Sequence, residues 1–166
     1  MADPFRFEDA TLRAITAHLR RISALPTPPP MAELTEARWQ LLYNILRQFC
    51  LKGRLLLGRL ARHPDPEIAR KAGEFAAESE ALYDMFAGRS DGWTPEGAEA
   101  EWPAFSALLR QVTDVVDARL GREKRELIPH LKDAPPAADS IYDRDWAAEE
   151  DRLRARLNQW PAGRRG

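Results

Sequence analysis

Residues 119–131 read RLGREKRELIPHL, and residues 48–60, 71 positions earlier, read QFCLKGRLLLGRL. The two stretches echo each other. Arg54 aligns with Arg125, Leu56 with Leu127, Leu57 with Ile128 and Leu60 with Leu131. In both, apolar residues recur at three- and four-residue spacing, the period of a helix face turned toward a core. Two polar positions four residues apart precede them, Gln48 and Lys52 in one copy and Arg119 and Glu123 in the other. Pro129 closes the later copy, since proline does not continue a helix.

The same period extends outward through the chain. Leu12, Ile15, Leu19 and Ile22 predict a first helix over residues 8–25, stopped by Pro26, Pro28, Pro29 and Pro30. A second is expected over residues 32–62, ended by His63-Pro64. Asp65-Pro66-Glu67 reads as an N-cap, a proline in the first turn and a carboxylate on the helix dipole, opening a third helix that stops at Gly88. Thr94-Pro95-Glu96 opens a fourth, which Pro103 interrupts so that it restarts near Trp102. Trp146, Leu153 and Leu157 predict a fifth over residues 145–160. No segment alternates with period two for long enough to propose a strand.

Four long helices with short connections predict an all-α fold, an antiparallel up-down-up-down four-helix bundle with an additional C-terminal helix. The bundle is expected over residues 1–132 and a linker over 133–144. The C-terminal helix (145–160) should pack on the bundle or a dimer mate, and 161–166 form a disordered tail.

Composition narrows the function. A 166-residue chain suits one domain with a core that needs no staples. Its net charge of −1 argues against nucleic acid, which favours a basic face. Charge is nonetheless uneven. Residues 1–60 carry nine basic and five acidic side chains, and residues 61–110 carry five and ten, an asymmetry that solvated helix faces explain. The single cysteine, Cys50, suits a reducing compartment. With no signal-like segment and no run of 18 apolar residues, a cytoplasmic chain with no membrane contact is expected. Arginine outnumbers lysine 21 to 4, which suggests a bacterial genome rich in GC.

Several further pieces line up with the echo. They are Ala17-His18-Leu19-Arg20-Arg21-Ile22, the LTEARW lead-in at 34–39, and Phe86-Ala-Gly-Arg89-Ser-Asp-Gly-Trp93. With 119–131 they resemble, in order and spacing, the hemerythrin-like (HHE cation-binding) family over roughly residues 8–131. The resemblance implies a bundle built around a di-iron site whose former ligand positions fall on His18, Gln48, Lys52, Arg89, Arg119 and Glu123. Iron needs imidazoles and carboxylates, whereas protonated lysine and arginine repel a dication. Only His18 and Glu123 retain ligand character. The scaffold is kept and the metal site dismantled, and Lys52 or Arg119 is expected to pair with Glu123 in place of the metal charge.

Other chemistry is sparse. The chain has no HExxH, CxxC pair, glycine-rich phosphate loop or GxSxG elbow. His18, beside Ile15 and Ile22, reads as a partly buried histidine, with a retained ligand as the alternative. His63 and His130 adjoin prolines and are expected in solvent. Cys50 reads as a small core residue. Trp39, Trp93, Trp102 and Phe105 either line a pocket or fill the core. The expected function is that of a non-enzymatic, metal-free binding or regulatory interaction module without a cofactor, monomeric or homodimeric, with a protein partner. One alternative is a metal, redox or oxygen sensor with an unconventional iron site around His18 and Glu123. A second is a carrier holding a small ligand in the bundle cavity.

Overall fold

Prolines and capping carboxylates divide the chain into the helices of the computed structural model. It describes residues 3–90, 95–136 and 145–158, with side chains at all of them except 86–90, 95–97, 153–154 and 156–158. The fold is all-helical, and no strand occurs among the described residues. No described helix is long and apolar enough to cross a membrane.

Helix α1 spans Arg6–Ser23, with Glu8 and Asp9 in its first turn and Arg20 and Arg21 in its last, each on the favourable end of the dipole. Asp3 Oδ1 accepts the Phe5 N–H at 2.8 Å just before it. Helix α2 spans Met31–Lys52. A single helix to residue 62 is the sequence expectation, but the chain widens into a π-helical turn at Gly53–Leu57 and returns to α geometry at Gly58–Leu60. The two glycines bracket the widened turn, and without a Cβ they lower the cost of leaving α geometry.

Helix α3 spans Pro66–Ser90. Asp65 caps it as expected, its Oδ1 accepting the Glu67 N–H at 2.9 Å. It continues past Gly88, where a stop is expected; a glycine inside a helix costs about 1 kcal/mol relative to alanine but does not terminate it. Helix α4 (Pro95–Ala100) and helix α5 (Trp102–Glu126) meet at Glu101, with Pro103 in the first turn of α5. The fresh start at Trp102 is the one that Pro103 predicts. Thr94 and Trp93 lie outside the described residues. After α5 a 3-10 turn, Ile128–Asp133, carries Pro129 at its start. Helix α6 spans Trp146–Asn158, and Asp145 Oδ1 accepts the Ala148 N–H at 3.1 Å.

Buried side chains gather in three places. Leu12, Leu19 and Ile22 of α1 pack with Leu34, Leu41 and Ile45 of α2 and with Leu109, Val112, Val116 and Leu120 of α5. A second cluster unites Leu56, Leu57 and Leu60 with Leu127, Ile128 and Leu131, against Ile68, Ala72 and Phe75 of α3. Three pairs matched by the sequence echo thus share one core. The third cluster seats α6 on α2. Trp146 is buried with Trp39 and Leu46, its ring 5.0 Å from Phe49 and 4.8 Å from Tyr83. The Tyr83 hydroxyl donates to Glu149 at 2.8 Å. Trp102 belongs to the first cluster, stacks on Phe105 and donates its indole N–H to the Leu25 carbonyl at 2.8 Å. Trp39 and Trp102 therefore serve different parts of the core and do not line a common pocket.

Helices α1 and α5 are also clamped along one edge. Arg20 Nη1 donates to Asp114 at 2.6 Å and Nη2 to Asp117 at 2.8 Å. The buried Thr16 hydroxyl lies 2.8 Å from Asp117 Oδ1.

Candidate functional site

The inner face of α2 and α5 carries four polar residues where a core would be apolar. Gln48, Lys52, Arg119 and Glu123 are all buried, and all line one small cavity. Burying an isolated carboxylate or ammonium costs several kcal/mol, so each charge here needs a partner.

Each one has a partner. Lys52 Nζ donates to Glu123 Oε2 at 2.6 Å and to Asp9 Oδ1 at 2.7 Å. The other carboxylate oxygen, Glu123 Oε1, accepts from Arg119 Nε at 2.8 Å, one helical turn away on α5. Gln48 Nε2 supplies a further donor to Asp9 Oδ1 at 3.1 Å. Arg119 Nη2 donates to the Ser79 hydroxyl at 2.7 Å and to the Phe75 carbonyl at 3.0 Å, both on α3. Its Nη1 stands 3.5 Å from Glu78 Oε1, and its guanidinium lies 4.6 Å from the Phe75 ring centroid. Lys52 Nζ is similarly 5.6 Å from the ring centroid of Phe5.

The pattern continues outward as an alternating chain of charge. Glu78 accepts from Arg122 Nη1 at 2.9 and 3.0 Å, Arg122 lies 3.5 Å from Glu126, and Glu126 lies 3.7 Å from Lys71. From Asp9 through Lys52, Glu123, Arg119, Glu78, Arg122 and Glu126 to Lys71, charges alternate, and Glu123, Glu78 and Glu126 each stand between two cations. The series joins α1, α2, α3 and α5 and runs from the buried centre to the surface. Its inner half lies where the dielectric is low and pairing is strongest. Its outer half is solvated and contributes little.

The cavity beside this cluster measures about 30 Å³ and is otherwise walled by Leu12, Ile45, Phe49, Leu82, Val116 and Leu120. That is room for a water molecule or two, and far below the several hundred Å³ of an organic ligand site.

Both Lys52 and Arg119 reach Glu123, where the sequence calls for either one. Asp9, Ser79 and the Phe75 carbonyl escape the sequence reading. Asp9 carries no motif, and Ser79 is an ordinary small helix residue; the available signal was the helical period, which places Asp9 one turn before the buried Leu12. Glu78 stands at the edge of the cluster as an ion-pair partner. His18 stands apart from it, on an outer groove between α1 and α2, 40% exposed and with Nε2 3.8 Å from Glu33 Oε1. The side chain of Arg89 lies outside the described residues, as do those of Leu153 and Leu157.

Two expectations need correction. His63 and His130 are half-buried, not fully in solvent, and meet edge to face with ring centroids 6.1 Å apart. The His63 Nδ1 accepts the Asp65 N–H at 2.9 Å, so the imidazole helps form the turn into α3. Cys50 is half-buried on the side of α2 that α6 covers. Burial, followed by the charges of Glu150, Asp145 and Asp151, pushes its thiol up to about 11. It is a protonated thiol at neutral pH and a poor nucleophile.

Comparison of the chain with family models, with curated proteins and with solved structures gives no match in any of the three. The chemistry of the site is therefore judged from its own residues. A di-iron centre requires free lone pairs on several carboxylates and imidazoles. Here both oxygens of Glu123 already accept from cations, and no imidazole approaches it. Among the described residues, no three of histidine, cysteine, aspartate and glutamate gather as a metal ion needs. These residues do not fit a metal pair.

Proposed function

We propose that the chain is a metal-free relative of the hemerythrin-like bundles, working in the cytoplasm as a non-enzymatic binding or regulatory interaction module. Its framework is an antiparallel up-down-up-down bundle of α1, α2, α3 and α5, with α6 as an addition. The observation that carries the reading is the double pairing of Glu123, one oxygen to Lys52 and the other to Arg119. Protein cations stand where a metal charge would otherwise have to be.

The up-down order draws support from the echo. Lys52 meets Glu123, and beyond the ends of both helices Leu56, Leu57 and Leu60 still share one core with Leu127, Ile128 and Leu131. Aligned residues that stay level over two turns are what the second and fourth helices of such a bundle, which run the same way, produce.

A centre whose charges meet within the chain leaves the outer surface for function. Immobilised chain should retain a discrete protein from the native cytoplasm, equally well with and without a chelator. Retention that requires added iron would favour the sensor reading instead.

A further inference from the structure

An open groove of about 740 Å³ lies between α1 and the first half of α2. Ile15 and Ala37 give it an apolar floor, and Glu33 and Glu36 stand exposed on its α2 side. His18 Nε2 lies 3.8 Å from Glu33 Oε1, and Gln40 Nε2 donates to Glu36 Oε1 at 3.0 Å. Among the described residues, neither carboxylate meets a lysine or an arginine, and no lysine or arginine lines the groove.

The course of α6 brings its far end to this groove. Trp146, the first residue of α6, meets Phe49 near the end of α2, with ring centroids 5.0 Å apart. The backbone of α6 runs beside α2, so it travels back toward the start of that helix. From Trp146 to Asn158 it advances about 18 Å, the length of about twelve residues, and stops level with Ala37. α6 sits on the Trp39 and Leu46 face of α2. Gln40 follows Trp39 directly, so the groove face lies about 100° round α2 from the face that α6 covers.

Residues 159–166 read QWPAGRRG and lie outside the described residues. They carry two arginines and no acidic side chain. Pro161 does not continue a helix and favours an extended residue before it. The six residues from Asn158 to Arg164, if extended, span up to about 20 Å. That length exceeds the width of a helix, about 10 Å, so the arginines reach past α2 to the groove.

We infer that residues 159–166 fold back over the groove of their own chain, with Arg164 and Arg165 against Glu33 and Glu36. Exposed ion pairs are individually weak. Attachment through a few residues, however, supplies an effective concentration on the order of millimolar, so two weak pairs are enough to populate the docked state. A basic segment of another protein would have to displace this strap to enter the groove. The arrangement lies on the outer surface and stands whether or not the charge cluster at the centre excludes metal.

Nuclear magnetic resonance on the full chain tests it. A nitroxide is attached at Gly166→Cys in a Cys50→Ala chain, and the amide signals of His18, Ala37 and Gln40 are followed. They should broaden, and the broadening should fade as salt rises. Arg164→Glu with Arg165→Glu, and separately Glu33→Arg with Glu36→Arg, turn attraction into repulsion. Each should cut the paramagnetic relaxation of these amides by roughly threefold or more. Both reversals in one chain should restore it. The spectrum also shows that each variant is folded, and the reversal at 164 and 165 decides the matter even where the one on α2 disturbs its helix. Absence of broadening overturns the inference, and so does broadening that no reversal changes, which the tether alone would produce. Broadening passed from nitroxide-bearing chains to separate isotope-labelled ones places the segment in a second copy's groove and overturns it equally.

Discussion

Lys52 Nζ lies 2.6 Å from Glu123 Oε2, and these residues, 71 positions apart, are the pair that the internal sequence echo puts in register. Equivalent positions of two similar segments thus meet as opposite charges. One segment contributes the ammonium and the other the carboxylate, so the centre is neutralised without help from outside the chain. Both helices also leave α geometry soon after this point, one through a π turn and the other through a 3-10 turn.

Removing the carboxylate charge alone should be expensive. Glu123→Gln leaves Lys52 and Arg119 with only Asp9 and Glu78 as charged partners, and is expected to cost about 3–5 kcal/mol. For a chain of this size that lowers the melting temperature by roughly 10 °C. Thermal denaturation followed by circular dichroism measures it, and an unchanged midpoint would mean the cluster is not buried.

Cys50 provides a pH signature. Its thiol ionises near 9.0 in an ordinary setting and near 11 in the folded chain. Between those values the unfolded state has lost a proton that the native state keeps, so stability falls as pH rises through this window. Below it Cys50 contributes no pH dependence. Denaturant midpoints of wild type and Cys50→Ala should run parallel up to about pH 9 and converge above it. Parallel curves to pH 11 would place the thiol in water.

Gly73 sits exposed inside α3, and a Cβ there meets nothing within 4 Å. Gly73→Ala should therefore stabilise by about 0.5–1 kcal/mol, by restricting the unfolded chain and improving helix propensity. Urea denaturation reads the change directly. A loss of stability would mean that α3 is not a regular helix at this point.

Helix α6 covers Trp39, Leu46, Phe49 and Tyr83 through the single buried ring of Trp146. Truncation before Asp145 uncovers that apolar surface and should drive aggregation. Light scattering at matched concentrations decides it. A truncated chain that stays soluble and folded would make α6 a dispensable appendage.

The readable parts of this molecule were those with a period or a cap. Leu12, Leu19 and Ile22 lay on their helix face, and Asp65 capped α3 from its place before Pro66. Lys52, Arg119 and Glu123 could be joined because burial of one charge demands another and because the echo set their register. Asp9 could not, since its role arises only when α1 folds across α2. The π turn at Gly53–Leu57 was equally hidden, because it keeps the apolar period while shifting its phase. His18 read from Ile15 and Ile22 as a partly buried histidine, and it is one, on the outer groove and away from the charge cluster. The seat of Trp146 depends on the tertiary hollow between Phe49 and Tyr83, which no local pattern encodes.

The most direct test of a charge-neutralised, metal-free centre is elemental analysis of protein purified from iron-replete cells, with melting temperature recorded before and after chelation. With Lys52 and Arg119 holding both oxygens of Glu123, iron, manganese and zinc should each fall well below one equivalent per chain, and chelation should leave the melting temperature unchanged. Stoichiometric iron that survives dialysis, together with a fall in melting temperature on chelation, would contradict the account.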